Sequence, residues 1–362
     1  MNRRKFLRST GLAAGAAAAI ATPAIAQSNP RINWRLASSY PKSLDTLYGC
    51  SPQIAKRVAE ATDGQFQIQP FAAGEIVPAL QVMDAVQNGT VECGHTLSNF
   101  YIGKDPAFVF DSVLPFGLNA RQQNAWLHQG GGLELIREFM KPYNIHTIPA
   151  GNTGAQMGGW FRKEIKSVAD LSGLKFRVAG LAGQILSRLG VVPQQIAGGD
   201  IYPALERGTI DAAEFSGPHD DEKLGFQKVA KYYYYPGWWE GQTQSSVYVN
   251  LEQWNKLPKS YQAIVTSAAA DTYTWMIGKY DTDNVAALRR LVAAGTELRP
   301  FSREILDAAY KASQEVYADF TAKNPKWKAV YEPWKAFMED QHQWFRVNEL
   351  QFDTYMMTVK KS

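Results

Sequence analysis

Asp84-Ala85-Val86-Gln87-Asn88-Gly89-Thr90-Val91-Glu92-Cys93 (DAVQNGTVEC) is echoed by Pro203-Ala204-Leu205-Glu206-Arg207-Gly208-Thr209-Ile210-Asp211-Ala212 (PALERGTIDA). Each copy reads as the end of a short helix, a glycine suited to the left-handed position after it, and a strand opening on β-branched residues. Around the first copy, Ile32–Ser38 alternates as a strand, Leu44–Ala61 reads as a helix, and Gln65–Phe71 as a second strand. Pro78–Gln87 is then a short helix closed by Asn88-Gly89, and Thr90–Thr96 a third strand. Around the second copy, Leu174–Val178 is a strand, Gly183–Leu189 a helix, Val191–Ile196 extended, Tyr202–Arg207 a helix and Thr209–Ala213 a strand. Strands alternating with helices build parallel βαβ units. A single helix-to-strand join of this kind is common. Its recurrence at the same place in each half predicts two related α/β lobes.

Length agrees with that reading, since 362 residues exceed one ordinary core. After Asn250 the chain turns mostly helical. Pro258–Ala294 reads as one helix long enough to link both lobes, and Ser302–Ala322 as another with Ser302 as its N-cap. Asn324-Pro325 stops it. The tail Ala336–Val359 carries Phe337, Trp344, Phe345, Leu350, Tyr355 and Met356, more apolar surface than a free terminus exposes. It is expected to dock on its own chain or on a second copy.

The formal charge of +4 comes from the first residues. Arg3, Arg4, Lys5 and Arg8 precede an Ala/Gly-rich apolar run, Gly11–Ile20, and the small-residue site Ala24-Ile25-Ala26 before Gln27. These are the three parts of a secretory signal, and Arg3-Arg4-Lys5-Phe6-Leu7-Arg8 resembles a twin-arginine export address. The run is too short to span a bilayer. Without residues 1–26 the chain holds 34 basic and 34 acidic residues. No basic excess remains for nucleic acid, and a soluble periplasmic protein is expected. Only two cysteines are present, with no C-x-x-C, so neither a disulfide scaffold nor a zinc site is indicated. Cys50 and Cys93 are expected to stay unpaired.

Enzyme motifs are missing: there is no H-E-x-x-H, G-x-S-x-G, Walker A or G-x-G-x-x-G. The five histidines are scattered and read as structural or surface residues. Gly151–Trp160 (GNTGAQMGGW), rich in glycine and amides, lies where the chain crosses from the first lobe to the second. Arg177 interrupts the apolar alternation of Leu174–Val178; a solvated edge would be the ordinary explanation for it. Glu214-Phe215 follows the strand Thr209–Ala213, at the strand end where α/β folds present ligand-binding groups. Glu240 closes the aromatic run Tyr232–Trp239, which is too dense for routine core. Together these would give a pocket of one guanidinium, two carboxylates and an amide oxygen. A guanidinium fork suits a small carboxylate. Two glutamates would repel an anion unless a cation sat between them, and oxygen-only ligands favour Na⁺, Ca²⁺ or Mg²⁺.

Gly151–Trp160, Leu174–Val178, Gly190–Thr209 (GVVPQQIAGGDIYPALERGT), Asp220–Phe226 and Tyr232–Glu240 together resemble the solute-binding proteins of TRAP (tripartite ATP-independent periplasmic) transporters. The resemblance is to the dicarboxylate-binding type, closest to the subgroup for 2-oxo acids or lactate, and runs through the mature chain. It implies a two-lobe periplasmic binding-protein fold of the α/β class with a hinge, a long lobe-spanning helix and a helical C-terminus that swaps into a homodimer. It implies a small monocarboxylate ligand, such as pyruvate or lactate, a bound Na⁺ or Ca²⁺, and membrane permease subunits as partners. Arg177 matches the carboxylate-binding arginine, and Gln156 a position touching both ligand and cation. Glu214, the main chain of Phe215 and Glu240 match the cation shell. Position 215 can be Trp in this subgroup; Phe215 keeps a main-chain oxygen but changes the pocket wall, which leaves substrate size open.

The expected organisation is a signal peptide (1–26), lobe I (27–150), lobe II (151–240), strands and long helices shared between lobes (241–335), and a C-terminal dimerisation helix (336–362). The competing reading is a secreted enzyme using Glu214 and Glu240 as an acid/base pair; a third is a structural periplasmic protein without a ligand.

Overall fold

A computed structural model of the protein describes residues 30–359; the export segment lies outside the described residues. Strands β1 (Ile32–Ser38), β2 (Phe66–Phe71), β3 (Cys93–Thr96) and β4 (Ile145–Asn152) belong to a first sheet. A second sheet holds β5 (Gly159–Phe161), β6 (Lys175–Arg177), β7 (Val192–Gln194), β8 (Ala212–Ala213) and β9 (Tyr232–Tyr235). The chain then returns: β10 (Gln244–Asn250) joins the first sheet and β11 (Glu297–Pro300) the second. The orders are β2-β1-β3-β10-β4 and β11-β9-β5-β8-β6-β7.

The βαβ reading holds for β1, β2 and β3, which are parallel, and for β6, β7 and β8. Sequence patterning set no bounds for β4, β5, β9, β10 or β11, and of these β5 and β10 run antiparallel to both of their neighbours. Both flank a crossing between sheets, so the chain enters its new sheet running against its neighbours.

The two copies of the opening motif share their hydrogen bonds. Gly89 and Gly208 sit at φ +71° and +70°. Thr90 N–H donates to Ala85 O (2.8 Å) and Thr209 N–H to Ala204 O (3.0 Å). Val91 and Ile210 donate to those same two carbonyls. These bonds use up the main chain that patterning gave to strands, which is why β3 starts only at Cys93 and β8 at Ala212. A Cβ at Gly89 would meet only Asn250 Nδ2, at 3.9 Å, so its cost there is backbone strain alone. Gly89→Ala is therefore expected to destabilise the fold by about 1–2 kcal/mol. Urea unfolding reads this, and an unchanged midpoint would contradict it.

The helices are α1 (Cys50–Ala61), α2 (Val82–Gln87), α3 (Ala120–Gln129), α4 (Gly132–Met140), α5 (Leu181–Ser187), α6 (Gly198–Glu206) and α7 (Pro218–Leu224). They continue as α8 (Leu251–Lys256), α9 (Lys259–Ala293), α10 (Arg303–Lys323), α11 (Pro325–Val347) and α12 (Glu349–Thr358). The helix expected from Leu44 begins only at Cys50. Turns precede it, and they bury Leu44 and Leu47 against Met276 and Tyr280 of α9.

Helix α9 runs for 35 residues, about 50 Å at 1.5 Å per residue. Tyr261, Val265 and Ala269 pack with Trp34 and Ile54 under the first sheet, and Leu291 packs with Trp160 and Tyr233 of the second. It therefore spans both lobes. The aromatic run is core after all: Tyr233, Tyr234, Trp238 and Trp239 are buried, and Tyr233 stacks on Trp160 at 4.1 Å.

Asn324 ends α10 and caps α11, its side chain accepting from Lys326 and Trp327 N–H. The tail helix thus begins at Pro325 and breaks at Asn348. Trp327, Val330 and Trp334 are buried against the body, Trp327 lying 4.8 Å from Phe110. Cys50 and Cys93 are both buried and unpaired.

Candidate functional site

The lobes close on a cavity lined by Tyr40, Leu47, Leu97, Asn99, Phe100, Thr153, Gln156, Arg177, Ala179, Glu214, Phe215, Ser216 and Glu240. All five residues singled out by sequence are brought together here. The cavity is small, about 20 Å³. That suits an acid of few heavy atoms. A wider groove between 73–81 and 195–200 carries no arginine or lysine, only Asp200, so an anion has no partner there.

Strand topology places the charges. β6 and β8 are parallel with Arg177 opposite Ala213, so Arg177 ends one strand and Glu214 follows the next. Arg177 is 2% exposed, which excludes the solvated-edge reading. Its Nε donates to Ile196 O (3.0 Å), and its Nη1 to Glu214 O and, at 3.5 Å, to Glu214 Oε2. These bonds leave Nη2 for a ligand. The Phe215 ring sits over the guanidinium, 5.3 Å away.

Gln156 and Glu240 come from the two crossings between sheets. Gln156 N–H donates to Glu240 O and Gly237 N–H to Gln156 O, both at 3.0 Å. The Gln156 amide donates to Thr153 Oγ1 (3.1 Å) and Thr243 Oγ1 (3.0 Å). Thr243 in turn donates to Glu240 Oε2 at 2.6 Å.

This site is short of positive charge, with Arg177 facing two carboxyl groups. Burial, then the neighbouring Glu240, push the Glu214 carboxyl well up, against the pull of Arg177. Burial pushes Glu240 up to about 7, opposed by the Thr243 hydroxyl and Arg177. One guanidinium does not offset the desolvation of two carboxylates. Gln156 Oε1 and Glu214 Oε1 are moreover buried with no hydrogen-bond partner, and such atoms require an explanation. A hard cation supplies one, since every donor atom is oxygen. Among the described residues no group of three His, Cys, Asp or Glu has metal-holding geometry. The shell would therefore need amide, main-chain and ligand oxygens beside the two carboxylates.

Sequence reading missed Tyr40 and Asn99, the first lobe's side of the cavity. Tyr40 OH and Asn99 Oδ1 are buried without partners. Each follows the carboxyl end of a parallel strand, β1 or β3, the one signal that could have found them. Thr153 and Thr243 carried no signal. The lobes are also joined outside the cavity: Asp45 pairs with His219 (2.9 Å) and Lys223 on α7 and with Lys279 (3.3 Å) on α9.

The profile of bacterial extracellular solute-binding protein family 7 matches residues 37–324. A monocarboxylate 2-oxoacid-binding periplasmic protein from Nostoc sp. is 52% identical over 360 residues, 98% of this chain and 99% of that protein. A TRAP transporter solute-binding protein from Bordetella bronchiseptica superposes with TM-score 0.90 at 55% identity, covering 91% of this chain and 98% of that one. Its crystal contains a dimer, with calcium and picolinate in one active site and the other site apo. A TRAP periplasmic solute-binding protein from Pseudoalteromonas atlantica, with sodium and pyruvate bound, gives TM-score 0.87 at 36% identity, covering 91% and 100%. The chain belongs to bacterial extracellular solute-binding protein family 7, among the solute-binding proteins of TRAP transporters.

Proposed function

We propose that the protein captures a small 2-oxo or 2-hydroxy monocarboxylate, such as pyruvate or lactate, together with Na⁺ or Ca²⁺, and hands it to the TRAP permease. The observation that carries this reading is the pairing, in one closed cavity, of a buried arginine with two orphaned buried oxygens. Arg177 binds the ligand's carboxylate. Gln156 Oε1, Glu214, the Phe215 carbonyl and Glu240 hold the cation, which supplies the positive charge that lets an anion lie beside two carboxylates. Phe215 walls the pocket and limits ligand length. Tyr40 and Asn99 meet the ligand from the first lobe, so occupancy favours closure. The protein works in the periplasm, which it reaches by the twin-arginine route, and it releases its ligand chemically unchanged.

A thermal-shift panel of pyruvate, lactate and longer 2-oxo acids, with and without chelator, tests this. The short acids are expected to raise the melting temperature. No shift with any carboxylate would refute the reading, and conversion of the acid would favour the enzyme that Glu214 and Glu240 could otherwise form.

The protein also acts as a homodimer through its C-terminal helix. Helix α12 buries no residue, and Trp344, Val347, Leu350, Phe352, Tyr355 and Met357 are all more than half exposed. A second copy would cover this face. Ending the chain at Asn348 is expected to convert a dimer into a monomer in analytical ultracentrifugation with ligand affinity retained. An unchanged sedimentation coefficient per chain would contradict it.

A further inference from the structure

The orientation of one amide decides whether this cavity can take a cation. Gln156 presents either its carbonyl oxygen or its NH₂ to the cavity, and proton accounting selects between them. The Thr153 hydroxyl donates to Gly154 O at 2.8 Å and accepts from Thr243 N–H at 3.1 Å. Its one remaining lone pair accepts from Gln156 Nε2. The Thr243 hydroxyl spends its proton on Glu240 Oε2 and likewise has only a lone pair to offer Gln156. Neither hydroxyl has a proton left for Oε1, so the flipped amide would set oxygen against two oxygens. Oε1 is therefore the amide atom left for the cavity that Gln156 and Glu214 both line, buried and without a partner, as is Glu214 Oε1.

Resting on the proposed function, we infer that Thr153 and Thr243 are positioning residues that make the cavity selective for a cation. They lock the Gln156 carbonyl inward, and Thr243 also holds the Glu240 carboxylate. They sit on the two opposite crossings and are joined by a main-chain bond, Thr153 N–H to Thr243 O at 3.0 Å. The lock therefore forms where the lobes are connected, and neither threonine needs to touch the cation.

The test compares wild type with Thr243→Val, Thr153→Val and Thr243→Ser. Valine keeps the shape and deletes the hydroxyl, whereas serine keeps the hydroxyl. Ca²⁺ affinity is measured by calorimetry with Ca²⁺ alone, and pyruvate affinity in Ca²⁺ and in chelator without Na⁺. Both valine variants are expected to lose about 10- to 100-fold in Ca²⁺ affinity, the usual effect of removing an outer-sphere partner. Their pyruvate affinity should fall only in Ca²⁺, and serine should restore both. A merely structural role would lower pyruvate affinity equally in both buffers, or leave serine as impaired as valine; either result overturns the inference. If Thr243→Val fails to fold, Thr153→Val carries the test, since it removes one of the two acceptors that hold the Gln156 amide. A cation-dependent wild type matched by the valine variants overturns only the threonine assignment. A wild type indifferent to cations overturns the proposed function.

Discussion

Arg177→Ala is expected to abolish measurable pyruvate binding while leaving a folded protein. Arg177 is buried, and its bonds to Ile196 and Glu214 hold it at the cavity. Truncating one partner of a buried charge pair costs about 3–5 kcal/mol, roughly 100- to 5,000-fold in affinity. The variant also leaves Glu214 and Glu240 without their guanidinium, so Ca²⁺ alone should bind no more weakly than to wild type. That opposite response separates loss of a ligand contact from collapse of the pocket. Arg177→Lys should recover only part of the affinity, because an ammonium keeps the charge and loses the planar fork. Calorimetry with pyruvate and Ca²⁺, beside melting curves, reads all three expectations. Unchanged pyruvate affinity in Arg177→Ala would remove this residue from the site.

Withdrawing the cation should cost a similar amount. Without it the two carboxyl groups, which burial disfavours as charges and, at Glu214, the neighbouring Glu240 disfavours further, either repel the anionic ligand or must first take up protons. At about 4 Å and an effective dielectric near 20, each unit-charge pair is worth roughly 4 kcal/mol. Only part of this survives compensation by Arg177, but even one third of it for each carboxylate is about 100-fold. The linkage is reciprocal, so pyruvate should tighten cation binding by the same factor. Melting curves in Ca²⁺, in Na⁺ and in chelator without either are expected to show a pyruvate-dependent rise only with a cation present. Equal rises in all three would contradict the account.

What was legible in the sequence follows from how local each signal is. The glycine-closed helix ends at Gly89 and Gly208 are set by left-handed backbone and a few main-chain bonds, so both copies could be read. Helix α9 was legible because an uninterrupted run between Pro258 and Gly295 has few other outcomes. The direction of β5 and β10 was not, because it depends on where the chain goes after each crossing. The aromatic run misled because its density looked functional, whereas Tyr233 and Tyr234 are buried in the second sheet's core. At the site, Arg177, Glu214 and Glu240 stood out as charges in apolar surroundings, whereas Gln156 was picked out of its amide- and glycine-rich stretch only by the resemblance. Tyr40 and Asn99 come from the far lobe, and aromatics and amides are unexceptional in composition. Thr153 and Thr243 act through where their hydroxyl protons go, which composition and periodicity do not encode.

The central claim is that acid and cation occupy this cavity together and that the acid leaves unchanged. Native mass spectrometry of the ligand-stripped protein, mixed with pyruvate with and without Ca²⁺, tests it directly, with NMR of the recovered acid. The account predicts one pyruvate and one Ca²⁺ per chain, little pyruvate retained without the cation, and pyruvate alone in the NMR spectrum. Full pyruvate occupancy in the metal-free protein, or recovery of a different acid, would contradict it.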